Sequence, residues 1–251
     1  MKKTILLAAM ALMSLAASAQ LHLNVGAETS HLWRGYEVSN GLNSTAQLSY
    51  QVGGFQVGLW NGMTISSNSY REFDYFASYT AGGFTVSMWD IYNYSPGSRR
   101  PGHTESEWMN IFNYNKFSTG HILDLGLAYN FGEACPLTLS WNTIVQGRDL
   151  DVNKDGEAVN AYSSYVQAAY TVYEDENWAV TPSIGGTLKF AGESDGNFYS
   201  TDHKMALNDI RLAATYKLQV GNHPMPVTAS AMWNPELKRG YMAVSVNLLA
   251  F

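Results

Sequence analysis

Apolar and polar residues alternate with a period of two along most of the chain beyond residue 20. Leu21, Leu23, Val25 and Ala27 alternate with His22, Asn24, Gly26 and Glu28. Ala46, Leu48, Tyr50 and Val52 alternate with Thr45, Gln47, Ser49 and Gln51. The same rhythm recurs from Leu123 to Phe131, Val166 to Val172 and Ile210 to Leu218, and no sustained stripe at 3.6 residues competes with it. Such alternation predicts strands with one apolar and one polar face. The last stretch, Tyr241 to Phe251, is strand-like and has about the 9–11 residues that a tilted strand needs to cross a bilayer.

The connections choose between a soluble sandwich and a barrel. Some turns are tight, at Gly53-Gly54, 81–83, 132–136, 174–177 and 221–225, whereas 93–119, 148–160 and 191–205 are long and polar. Short turns at one end and long loops at the other are the pattern of outer-membrane barrels. If both chain ends lie at the short-turn end, the two kinds of connection must alternate. That parity leaves no room for a spanning strand between 93 and 120, so Trp108 to Phe117 is assigned to a loop, a lid or an extension above the membrane. The prediction is all-β: a transmembrane antiparallel up-and-down β-barrel of twelve strands at 21–31, 42–52, 55–64, 71–80, 84–92, 120–131, 137–147, 161–173, 178–190, 206–220, 226–234 and 240–251. The twelfth closes on the first and removes the sheet edges. Its phase is broken, because Val244, Val246 and Leu248 share one face and Phe251 falls on the other, so a bulge is expected near Leu248-Leu249.

Residues 1–19 look like a cleavable signal peptide: Lys2 and Lys3, an apolar run from Ile5 to Leu15, then Ala17-Ser18-Ala19. The mature barrel would span 20–251 and lie in the cell outer membrane. Composition agrees. Tyr (16) and Trp (7) are abundant interface residues, and only 14% of the chain is charged. Removing Lys2 and Lys3 leaves 13 basic against 21 acidic residues, a net charge of −8 that argues against a nucleic-acid partner. The single Cys135 can form no internal disulfide.

The segment Ala27-Glu-Thr-Ser-His-Leu-Trp33-Arg34-Gly35, the hairpin Gly54-Phe-Gln-Val-Gly-Leu-Trp60, Glu72-Phe-Asp-Tyr75 and the second Gly-Gly-Phe at 82–84 together resemble the TorF-type family of outer-membrane porins. The likeness covers the first third of the mature chain. It implies a barrel with a channel-like role and supplies no substrate.

The polar-face charges are Glu28, Glu72, Asp74, Asp124, Lys189, Asp209, Arg211 and Lys217, and they are expected to line the lumen, with Lys189 near Asp209 and Arg211 one pleat deeper. They read either as a mixed-charge eyelet that filters small solutes or as a salt-bridged plug. Trp60 and Trp89 alternate into the lumen; Trp33, Tyr92, Trp141, Trp178 and Trp233 read as interfacial girdle. Asp151, Asn153, Asp155 and Gly156 match the start of a Ca²⁺ loop, although Tyr162 stands where its bidentate Glu belongs; apart from this no cofactor is expected. The adjacent Asp202-His203 is the one carboxylate–imidazole pair, and no Ser lies in a nucleophile motif, so an outer-membrane enzyme ranks third. Arg99-Arg100 and Arg148 could meet lipopolysaccharide phosphates. The expected partners are outer-membrane lipid and lipopolysaccharide, the barrel assembly machinery through the C-terminal strand, and small solutes. A passive channel ranks first and a non-conducting structural or surface-binding barrel second.

Overall fold

β1 (Gln20–Trp33) turns back through Arg34-Gly35 onto β2 (Tyr36–Val52), which pairs with β3 (Phe55–Thr64), and the wall continues hairpin by hairpin. β4 (Arg71–Ala81) and β5 (Phe84–Tyr92) follow. After a one-turn helix α1 (Glu105–Trp108) come β6 (His121–Asn130) and β7 (Leu137–Gly147). A small hairpin, β8 (Leu150–Val152) with β9 (Ala158–Asn160), precedes β10 (Ser164–Tyr170). β11 (Tyr173–Glu174) pairs with the start of β12 (Trp178–Leu188), and β13 (Met205–Tyr216) comes next. The short pair β14 (Gln219–Val220) and β15 (His223–Pro224) leads to β16 (Val227–Asn234) and β17 (Arg239–Ala250). The computed structural model describes residues 20–250 except 68, 97, 99–103 and 201. The expected signal peptide, Arg99-Arg100 and Phe251 lie outside the described residues.

Every neighbouring pair is antiparallel, and the ring closes where β1 pairs with β17 and β10 with β12. The protein is therefore an all-β, closed, twelve-stranded up-and-down barrel, with β10 and β11 filling the single strand expected at 161–173. The described residues between 93 and 120 contain α1 and turns but no strand, as parity required.

The outer wall is apolar. Leu48, Val57, Met88, Leu139, Val166, Leu212 and Val244 point outward and are 40% to 51% exposed. A belt of this extent exceeds the few hundred Å² of contiguous apolar surface that soluble monomers show, whereas hydrocarbon would cover it at no cost. The inner wall is polar and buried: Asn43, Asp74, Asp124, Thr187, Asp209 and Asn234 all turn inward.

Bulges set which side chains reach the lumen. Val25 pairs with Leu249 but Gly26 pairs with Asn247, so Leu248 is the extra residue of the closing seam, where the phase conflict placed it. In β13, Gly185 pairs with Asp209 and Gly186 with Leu207. Asn208 is the extra residue there, and it turns inward beside Asp209 instead of sharing the outward face of Ile210 and Leu212.

Candidate functional site

The β1–β2 hairpin outgrows the wall and folds back across the lumen. Its two-residue turn has positive φ at both positions, 46° at Arg34 and 88° at Gly35. That geometry suits a tight hairpin, but for an arginine it costs of order 1–3 kcal/mol and persists only where surroundings hold it. They do so here. Asn208 Nδ2 donates to the Arg34 carbonyl (2.9 Å), and Asn234 Nδ2 donates to that of Gly35 (2.9 Å). The Arg34 guanidinium reaches the opposite wall, where Nη1 and Nη2 donate to the two carboxylate oxygens of Asp124 at 2.8 and 2.5 Å. Nη1 also donates to the Tyr199 hydroxyl (2.6 Å), and the group lies 4.7 Å above the Trp33 ring. The two side chains are 11% and 1% exposed. The result is a bar across the outer half of the barrel, anchored at β13, β16 and β6.

Around the bar the lumen is chemically mixed. Tyr165 donates its hydroxyl proton to Asp209 (2.9 Å), which also pairs with Arg211 (2.9 Å), as expected for neighbours on one polar face. On the other side Glu28 bonds His31 Nδ1 (2.7 Å), and His31 stacks near Trp60 and Tyr70, with ring centroids 5.6 and 5.4 Å away. Glu72 is buried in the same quarter, and Asp74 accepts the Tyr92 backbone N–H (3.0 Å). Trp89 lies inside against Phe76, 4.5 Å between centroids. A polar chamber of about 330 Å³ lies along β1–β3 and β17, lined by Asn24, Glu28, Thr45, Gln47, Ser245 and Asn247 among others. A second cavity of about 240 Å³ separates the hairpin from the β4–β6 wall, with Trp33, Glu72 and Tyr199 on its sides.

Three expectations are corrected. Lys189 does not face Asp209. It follows the end of β12, and its ammonium is drawn out of the lumen to Asp151 and to the Ser194 carbonyl. Lys217 lies beyond the end of β13 on the short-turn rim, where it pairs with Glu174 (2.8 Å). Trp33 is not girdle: it packs inside against Phe198 and Tyr199 because the hairpin carrying it bends inward. The remaining lumen candidates face inward.

The acidic loop is wired to the protein's own cation. Burial works against ionisation of Asp151, but the hydrogen bonds from Lys189 and Ser194 outweigh it and hold the carboxyl down at about 2. Asn153 Oδ1 accepts the backbone N–H groups of Asp155 (3.0 Å) and Glu157 (2.8 Å), closing the β8–β9 turn. Among the described residues no cluster of three or more His, Cys, Asp or Glu could hold a metal.

His203 finds Glu236 rather than its neighbour Asp202: Nδ1 lies 2.7 Å from Glu236 Oε1, and the Ser200 hydroxyl donates to the same oxygen (2.5 Å). The hydrogen bond with Glu236 raises the His203 pKa, and the same bond lowers that of Glu236. This trio is a loop clamp. The serine proton goes to the carboxylate and the Ser200 Oγ accepts the His203 backbone N–H (3.1 Å), so the imidazole is not placed to activate the hydroxyl.

Alternation could not reveal Arg34, Tyr199 or Asn208 as lumen residues, whereas Asn234 follows Thr228 and Ser230 on the polar face of its strand. The one signal was the aromatic-Arg-Gly turn after β1, an odd place for a buried cation.

No protein-family model and no curated protein matches the chain. Solved structures that it resembles include a porin and the translocator domain of an autotransporter. The NanC porin shares 10% identity over 91% of this chain and 98% of its own, at a TM-score of 0.49. The translocator domain of the autotransporter NalP from Neisseria meningitidis shares 13% over 98% and 96%, at 0.40. OmpF of Salmonella typhi, in complex with daunomycin, shares 7% over 93% and 97%, at 0.38. At such scores function rests on the chain's own residues, and the TorF-type resemblance rests on its quoted motifs.

Proposed function

We propose that the protein is an outer-membrane channel for passive diffusion of small solutes, with the Arg34–Asp124 bar as its constriction. The observation that carries the reading is the pairing of an apolar outer belt with a polar, cavity-bearing lumen. A barrel that needed only a solid core could fill its interior with apolar side chains at less cost than buried charges impose. Solutes would pass beside the bar, along walls that carry Glu28, Glu72 and Asp74 on one side and Arg211 on the other. Export would follow the signal peptide, and insertion would use the assembly machinery acting on β17.

A second reading has its own support. The bar is fully satisfied at both carbonyls and at the guanidinium, as a permanent plug in a non-conducting barrel would be. Liposome swelling separates the two. Proteoliposomes should swell in isotonic solutions of small neutral solutes and not in those of large ones. Absence of swelling with every solute would reject the channel.

A further inference from the structure

Residues 111–114 lie against the outside of the barrel. Asp90 alternates with the lumen-facing Trp89 and Ile91, so its carboxylate lies on the outer wall, level with Tyr75 and Leu123. His121 Nδ1 bonds Asp90 (2.6 Å), and its Nε2 meets the Ile111 carbonyl (3.0 Å). The Tyr114 hydroxyl donates to the second Asp90 oxygen (2.5 Å), and the Tyr114 carbonyl accepts from Gln146 on β7 (3.3 Å). Segment 111–114 is thus strapped across β5, β6 and β7 on the face that carries the apolar belt. The belt residue Met88 stands one pleat below Asp90, about 7 Å along the strand.

Segment 109–117 leaves large apolar side chains exposed among its asparagines: Phe112 is 83% exposed, and Phe117 and Met109 are exposed as well. Large side chains are left bare at the point where the wall passes from belt to loops. The ammonium of Lys116 lies 5.2 Å from the Phe117 ring, an aromatic and a cation at one level, as at a lipid interface.

We propose that segment 109–117 is a membrane-seated anchor, with Phe112 and Phe117 inserted at the headgroup–acyl boundary of the surrounding outer leaflet. The occupant follows from position: the strap is tied to the belt face just above Met88, and its exposed Phe112 lies next to Ile111, which bonds that wall through His121. The proposal rests on the membrane reading above. It gives the Asp90–His121–Tyr114 cluster a purpose, which is to hold the anchor flat against the wall so that its aromatic side faces lipid rather than folding over the mouth.

Nitroxide labels placed in a Cys135→Ser background test it. Cys135 is exposed in a short turn, so its replacement leaves both wall and strap intact. Labels at Phe112→Cys, at the belt position Met88→Cys and at the loop position Asp155→Cys are compared in phospholipid vesicles for collision with oxygen and with a water-soluble nickel chelate. The expected result is an oxygen-to-nickel ratio at 112 close to that at 88 and several-fold above that at 155. A ratio at 112 matching that at 155 overturns the anchor. Shielding of 112 from both reagents also overturns it, because protein rather than lipid then covers the strap. If label 88 itself behaves like 155, the membrane reading fails first.

Discussion

Arg34 binds both carboxylate oxygens of Asp124 from the far side of the lumen, five strands away round the wall. A hairpin tip is thereby tied to the opposite wall through a buried ion pair. Asp124→Ala leaves the guanidinium uncompensated and should cost about 3–5 kcal/mol. The Arg34→Ala/Asp124→Ala double variant should recover part of that loss, because the coupled pair departs together. Chemical denaturation of the refolded barrel checks this. Strict additivity of the two single changes would mean the pair does not couple.

Gly35 is the second test of the bar, and it leaves Arg34 in place. At φ 88° a side chain is strained, and an added Cβ would stand 2.3 Å from the Asn208 carbonyl oxygen. Gly35→Ala should therefore push the tip off Asn208 and Asn234 and raise conductance in the same direction as Arg34→Ala. Unchanged conductance in Gly35→Ala, set against a change in Arg34→Ala, would assign the constriction to the guanidinium alone and not to the hairpin.

The Asp151–Lys189 pair makes a pH prediction with a definite sign. The Asp151 pKa is depressed to about 2, below the usual ~3.9, so its contribution is present above the usual value and lost as pH falls through about 2. Asp151→Ala should lower the melting temperature at pH 7 and abolish this acid-side loss. The drop should be the same with calcium as with chelator, since Lys189 already occupies the carboxylate. A drop confined to calcium-containing buffer would support the metal reading.

His203 and Glu236 should titrate as a pair. The His203 pKa is raised and that of Glu236 is lowered. Their clamp is therefore complete between the usual carboxylate and imidazole values, ~4.3 and ~6.5. It weakens as pH rises through the raised His203 value or falls through the depressed Glu236 value. An NMR titration of His203 should give a pKa above 6.5 that returns to the ordinary value in Glu236→Gln. A wild-type value at or below 6.5 would contradict the clamp.

Much of the architecture was legible because a barrel imposes two regularities on its sequence. Lipid outside and water inside force period-two alternation, and parity of the ends fixes an even strand number. The bulge at Leu248 was legible for the same reason, as a conflict of phase within one strand. Alternation failed where the backbone slips or leaves the wall. The bulge at Asn208 turns an outward position inward, and nothing in the local pattern announces it. Trp33 ends β1 and Arg34 follows it, yet their place is set by a hairpin that folds back onto residues 165 to 199 positions away, Tyr199 and Asn234. Lys189 fell one residue past the end of its strand, and its partner Asp151 belongs to a separate hairpin.

Single-channel recording in planar bilayers, with salt-ratio selectivity, comparing the wild-type protein with Arg34→Ala, tests the central claim most directly. The bridged-lumen channel predicts small discrete steps for the wild type. It predicts larger steps for Arg34→Ala, with a stronger preference for cations, because Asp124 then faces the pore unpaired. Silence from both proteins, or identical steps and selectivity in the two, would contradict it.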